Sequence, residues 1–145
     1  MTFWDSSAIV PLLVAESSTD ALITKYREDT EVVIWWATPT ECTSAIARLE
    51  REAALAPAET TDALLRLDAL SLGWLQVEPL DEVREVARRM LRVHPLRAAD
   101  ALQMAAAYLA SERRPSTLAF VSLDARLADA ARKEGFLVDP ISSAA

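Results

Sequence analysis

Along the chain, short and largely apolar runs alternate with longer stretches in which apolar residues return every three or four positions. The runs cover residues 2–5, 31–36, 74–78, 117–122 and 136–139, and they predict five strands. The second, Glu31-Val32-Val33-Ile34-Trp35-Trp36, is rich in β-branched and aromatic residues without polar alternation, the pattern of a parallel strand covered on both faces. The stretches between predict helices over residues 6–15, from the candidate caps Ser17-Ser18-Thr19-Asp20 to about Glu28, and over 38–54, 57 to near Gly73, 81–93, 96–110 and 124–134. Pro11 is expected near the first turn of its helix, where proline is tolerated. Thr38-Pro39-Thr40-Glu41 has the form of a capping box, with a threonine cap, an early proline and a glutamate three residues on. Val83, Val86, Ala87, Met90 and Leu91 share one face of the helix over 81–93, and Gly135 closes the last helix. Strands alternating with single or paired helices predict an α/β fold. We expect one three-layer domain over residues 1–145, its central parallel sheet of about five strands flanked by helices. The tail, Ile141 to Ala145, is expected to fray.

Composition removes most familiar catalytic machinery. A hydrophobic fraction of 52% over 145 residues is enough to bury a real core. With only Gly73 and Gly135 as glycines, neither a glycine-rich phosphate loop nor a dinucleotide fingerprint can be built. One cysteine, Cys42, makes no intramolecular disulfide and no thiolate zinc site, and one histidine, His94, makes no histidine pair. The chemistry falls to carboxylates. The 15 basic against 22 acidic residues leave a net charge of −7, so there is no global attraction to a polyanion, which would need metal ions or a local basic patch. All the basic residues except Lys25 and Lys133 are arginines. The opening Met1-Thr2-Phe3-Trp4-Asp5 carries no signal peptide pattern and no run is long enough to span a membrane; a cytoplasmic location is expected.

Placed on this map, four acids stand apart from those on solvated helix faces. Asp5 ends the first strand, Asp124 follows the fourth, Glu41 opens the helix after the second, and Asp100 lies in an alanine-rich helix. Ligands of open α/β sheets bind at the C-terminal strand edge, and three of these acids fall there, with Asp100 within reach. Each also has a plainer role. Asp5 and Asp124 can cap helices, Glu41 can complete the box with Thr38, and Asp100 can pair with Arg97. Two like charges ~4 Å apart repel by roughly 4 kcal/mol at an effective dielectric of 20. A hard dication such as Mg²⁺ or Mn²⁺ relieves that repulsion, and hydrolysis of a phosphodiester then needs no histidine.

The sequence resembles the PIN-domain proteins at four places in order. Phe3-Trp4-Asp5-Ser6-Ser7-Ala8-Ile9-Val10 resembles their opening strand and turn, and Thr38-Pro39-Thr40-Glu41 with Ser44-Ala45-Ile46-Ala47-Arg48 resembles their glutamate-bearing helix. Leu96-Arg97-Ala98-Ala99-Asp100-Ala101-Leu102-Gln103-Met104-Ala105 is similar to their third motif, and Phe120-Val121-Ser122-Leu123-Asp124-Ala125-Arg126-Leu127 to their fourth. Within that family, the size points to the VapC-type toxins of bacterial toxin–antitoxin pairs. The resemblance implies an Mg²⁺- or Mn²⁺-dependent endoribonuclease, acting on RNA such as tRNA or rRNA, silenced by a cognate antitoxin and working as a homodimer. It carries over Asp5, Glu41, Asp100 and Asp124 as catalytic residues, with Asp5, Asp100 and Asp124 as metal ligands. Ser7 and Ser122 map to hydroxyl positions beside the cofactor, where Ser122 stands in place of the threonine more common in the family.

Two other classes fit less of the sequence. A silent binding module would use the acids as caps and its acidic surface to receive a basic partner. A haloacid-dehalogenase-like phosphatase wants Asp-x-Asp after the first strand, where Ser7 stands here, and a phospho-receiver wants a late lysine in the sheet, where the late Lys133 is helical. Cys42 is read as a buried small side chain, His94-Pro95 as a helix terminator, and Arg84, Arg88, Arg89 and Arg92 as a solvated face. An antitoxin is expected to place a basic side chain in the acidic cleft while an apolar helix packs on the domain's surface. The dimer contact is expected among Leu64, Leu65, Leu67, Leu70, Val83, Val86, Met90 and Leu91, the alternative being that all are core.

Overall fold

In the computed structural model, which describes residues 1–141, the apolar runs pair into one parallel sheet. β1 (Thr2–Trp4) lies between β2 (Val32–Trp35) and β4 (Ala119–Val121), and β3 (Leu75–Val77) joins the far side of β2, in the order β3-β2-β1-β4. Phe3 pairs with both Val33 and Phe120, Trp4 with Val121, and Trp35 with Val77. Parallel strands in step bring their C-terminal ends to one edge, and the site is built there.

Strand residues point alternately to two faces, and each face has its own core. Phe3, Val33, Trp35 and Phe120 pack with side chains of α5 (Asp81–Val93), α6 (Ala98–Ala110) and α7 (Ala125–Glu134). Trp4, Val32, Ile34 and Val121 pack with those of α1 (Ser6–Leu13), α2 (Thr19–Glu28), α3 (Thr38–Arg51) and α4 (Pro57–Ser71). The architecture is therefore α/β in three layers, as the periodicity implies. Among the described residues no helix is long and apolar enough to cross a membrane.

The sheet departs from expectation in its strand count. Among the described residues it has four strands rather than about five, because residues 136–139 contribute one bridge, Ala119 to Leu137, and no more. Leu137 donates its N–H to Leu118 (3.2 Å) and accepts from Phe120 (2.8 Å). Beyond it, Asp139 turns out to Lys25 at 3.0 Å and Pro140 has no N–H to offer. Pro11 lies in the second turn of α1 rather than the first, buried in the core, where it withholds one helical hydrogen bond and helps keep α1 short. Helix α6 begins at Ala98, two residues later than its apolar spacing implies, after Arg97 in extended conformation. Asp100 therefore stands in a first turn. The expected fraying of Ile141 to Ala145 falls almost wholly on residues 142–145, outside the described residues.

The apolar set expected at a dimer contact is mostly core. Leu67, Val83, Val86 and Met90 are buried, and Leu64 and Leu70 pack partly against the second core. Leu65 and Leu91 are exposed, but their helices flank opposite faces of the sheet. One continuous patch from both helices is thus not available.

Candidate metal centre

Asp5 follows β1 directly and is 3% exposed. It occupies the cap position of α1, yet its carboxylate makes no cap hydrogen bond. Three serine hydroxyls donate to it instead: Ser7 at 2.5 Å and Ser122 at 2.6 Å, both to Oδ2, and Ser6 at 3.3 Å to Oδ1. Each serine hydroxyl has one proton to give, so the two oxygens of Ser7 and Ser122, 3.2 Å apart, share none between them. Their lone pairs accept backbone N–H groups of the next turn, Ser7 from Leu123 (2.9 Å) and Ser122 from Asp124 (3.1 Å). The two hydroxyls expected beside the cofactor are thus committed to orienting Asp5 and clamping the β4–α7 turn against it.

Asp124 does perform the plainer role foreseen for it. Its Oδ1 accepts from the Leu127 N–H at 3.0 Å and caps α7. Asp100, half-buried, faces the same open cleft of about 610 Å³ as Asp124, with Arg97, Ala99, Ala125 and Arg126 completing the lining. Among the described residues Asp100 forms no ion pair with Arg97, which lowers its pKa only as a nearby charge.

Glu41 corrects the capping-box reading. Ala37 holds the cap position of α3, Thr38 is already helical and fully buried, and no box forms. The Glu41 carboxylate instead accepts from Gln103 Nε2 at 2.8 Å, and the same nitrogen donates to Thr38 Oγ1 at 3.0 Å. Gln103 was not among the expected site residues. The signal it offers is a single amide on the apolar face of an alanine-rich helix, three residues after Asp100.

The electrostatics tie the four acids into one group. Burial pushes the Asp5 carboxyl upward; the hydroxyls of Ser122 and Ser7 oppose it, and the negative charge of Asp124 adds to it. Burial raises Glu41 to about 7, against the pull of Gln103 and with the help of Asp5 and Asp100. Asp100 is raised by burial, then by Asp124 and Asp5, while Arg97 and Arg126 lower it. The Cys42 thiol, buried beside Glu41, is pushed up to about 12 by burial and the two nearby acids, so it stays protonated and inert.

Acids that act on one another by charge in this way favour a cation nearby. The donor set is entirely oxygen, which suits a hard dication. Among the described residues no three acid, histidine or cysteine side chains gather tightly enough to enclose an ion on their own. Magnesium is bound through one or two carboxylates while it keeps several waters, and the open cleft beside Asp100 and Asp124 leaves room for them. The residues fit such an ion.

Comparison with known protein families and with curated proteins finds no match to this chain.

Proposed function

We propose that this chain is a single PIN-like nuclease domain, a metal-dependent endoribonuclease that hydrolyses RNA phosphodiester bonds as the toxin of a toxin–antitoxin pair. The reading is carried by one observation: Asp100 and Asp124 line one open cleft, and Asp5 and Glu41, from two further elements, feel the charge of acids in this same group. The four motif resemblances support it, since the acids that meet are the acids those motifs carry.

Asp5, Asp100 and Asp124 would hold Mg²⁺ or Mn²⁺, one or two of them directly and the rest through waters the ion keeps. When bound, the ion neutralises charge on the phosphodiester and favours attack by water. Asp5 is held in one orientation by Ser7 and Ser122, so it offers a preorganised ligand rather than a mobile one. Glu41, with its pKa near neutrality, is suited to accept a proton from the attacking water. Arg97 and Arg126, beside the acids, can meet phosphates on either side of the cleaved bond.

Removing the four site acids from the net −7 leaves −3, so most of the excess charge belongs to one group of acids, two of which line an open cleft. A cognate antitoxin would exploit this by inserting an arginine or lysine. The protein works in the cytoplasm on tRNA or rRNA, as a homodimer whose contact includes either Leu65 or Leu91. Light scattering at micromolar concentration is expected to give twice 15.9 kDa, and a mass near 15.9 kDa would remove the dimer. The function itself is tested by titrating Mn²⁺ into the metal-free protein and assaying structured RNA. The expected result is a rise in melting temperature with Mn²⁺ and cleavage that EDTA stops. Binding of a basic partner with neither effect would instead favour a silent module.

A further inference from the structure

Among the described residues, Gln103 is the one whose buried side chain is left incompletely bonded. Its side chain is fully buried, both Nε2 hydrogens are used, one on Glu41 and one on Thr38, and its Oε1 has no partner among the described residues. A buried carbonyl without a donor is destabilising, and methionine or leucine would fill the same space without that defect. Turned over, the amide would face its carbonyl toward the Glu41 carboxylate and repel it. The orientation seen is thus the one that serves the acid, at the expense of the amide's own oxygen.

The placement gives this arrangement a purpose. Gln103 and Asp100 lie three residues apart on α6, so they share a face of one rigid helix. Glu41 comes from α3. The amide therefore ties the acid of α3 to the helix that carries Asp100. We propose that Gln103 is a positioning residue that sets the Glu41 carboxylate relative to the metal-binding acids. This rests on the nuclease reading above.

The test is a double-mutant cycle on the full chain, with Mn²⁺ affinity read by calorimetry, cleavage rate read in parallel, and melting temperature of the metal-free protein as control. Gln103→Met is expected to weaken Mn²⁺ binding about tenfold, because Glu41 is coupled by charge to Asp5 and Asp100 and adds its own negative charge to the field that would hold the ion, and to leave the melting temperature unchanged or raised. In a Glu41→Ala background the same substitution is expected to change Mn²⁺ affinity by less than about twofold, since nothing remains to position. Gln103→Leu serves as the second apolar replacement should methionine fail to fold. Equal losses in both backgrounds would overturn the proposal, because Gln103 would then act without Glu41. Unchanged affinity in a wild type that binds Mn²⁺ would overturn it while leaving the nuclease reading standing. A wild type that binds no Mn²⁺ and cleaves no RNA would overturn both.

Discussion

The protein contains two part-buried charged clusters built by opposite rules. Around Glu134, at the end of α7, acid meets base: Arg89 donates to its Oε1 at 3.1 Å, and His94 Nε2 lies 3.1 Å from the same oxygen. Arg89 also lies 5.2 Å from the ring of Tyr108, with Arg113 at 5.9 Å from that ring. Around Asp5, acid meets acid, and what neutralisation exists comes from neutral hydroxyls, an amide and two peripheral arginines. Helix α7 links the two, with Asp124 capping its start and Glu134 near its end. The first arrangement ties α5 to α7 and asks nothing of the solution. The second is costly as it stands and improves only when a cation arrives. A fold selected for stability alone would pair its buried acids, so the unpaired cluster is where function is to be sought.

The sharpest break of this comparison is to neutralise one acid in each cluster. Asp5→Asn is expected to abolish metal-dependent RNA cleavage while the metal-free protein melts at the same or a higher temperature, because repulsion is relieved as a hard ligand is lost. Glu134→Gln is expected to do the reverse, costing up to about 1 kcal/mol of stability because His94 and Arg89 then face a neutral amide oxygen instead of a charged carboxylate, with cleavage intact. Activity assays and thermal melts on both variants decide it; a cleaving Asp5→Asn enzyme would end the metal-site assignment.

Protonation probes the acidic cluster without mutation. Glu41 has a folded pKa of about 7 against an ordinary 4.5, and Asp5 and Asp100 are raised in the same direction. Raised carboxyls contribute stability while protonated, so the metal-free protein is expected to lose stability as pH rises from about 4.5 through about 7. Mn²⁺ should flatten that decline. Melting temperatures measured across this range with EDTA and with Mn²⁺ test both statements, and a metal-free protein that grows more stable over the interval contradicts them.

The smallest effect separates the two jobs of Asp124. Asparagine caps a helix as well as aspartate, so Asp124→Asn is expected to stay within about 0.5 kcal/mol of wild-type stability while weakening Mn²⁺ binding. Asp124→Ala should lose about 1 kcal/mol with the cap. Equal stability in the two variants, by denaturant titration, would show that the cap contributes nothing.

Local patterning determined the elements. The apolar face repeating along residues 81–93 gives a helix with those bounds, with Val83, Val86, Ala87 and Met90 buried, and Gly135 ends α7 in the left-handed region at φ 103°. The unalternating run of β2 is buried at every position, as a parallel strand covered on both faces must be. These features depend on residues within a turn or two of each other, which a sequence displays directly. The four acids also stand out in the sequence, Asp5, Glu41 and Asp124 at element boundaries and Asp100 as an aspartate among alanines. What their side chains touch does not. The capping box at Thr38 did not form because the helix takes Ala37 as its cap; the Thr38 hydroxyl oxygen accepts from Gln103, 65 residues away, and Ser122, 117 residues away, donates to Asp5. The fifth strand fell short because one bridge beside β4 is all that the turn toward Lys25 allows. Periodicity is a local property, whereas hydrogen-bond partners, burial and the repulsion among carboxylates arise only when distant segments are packed together, and those terms decided the site.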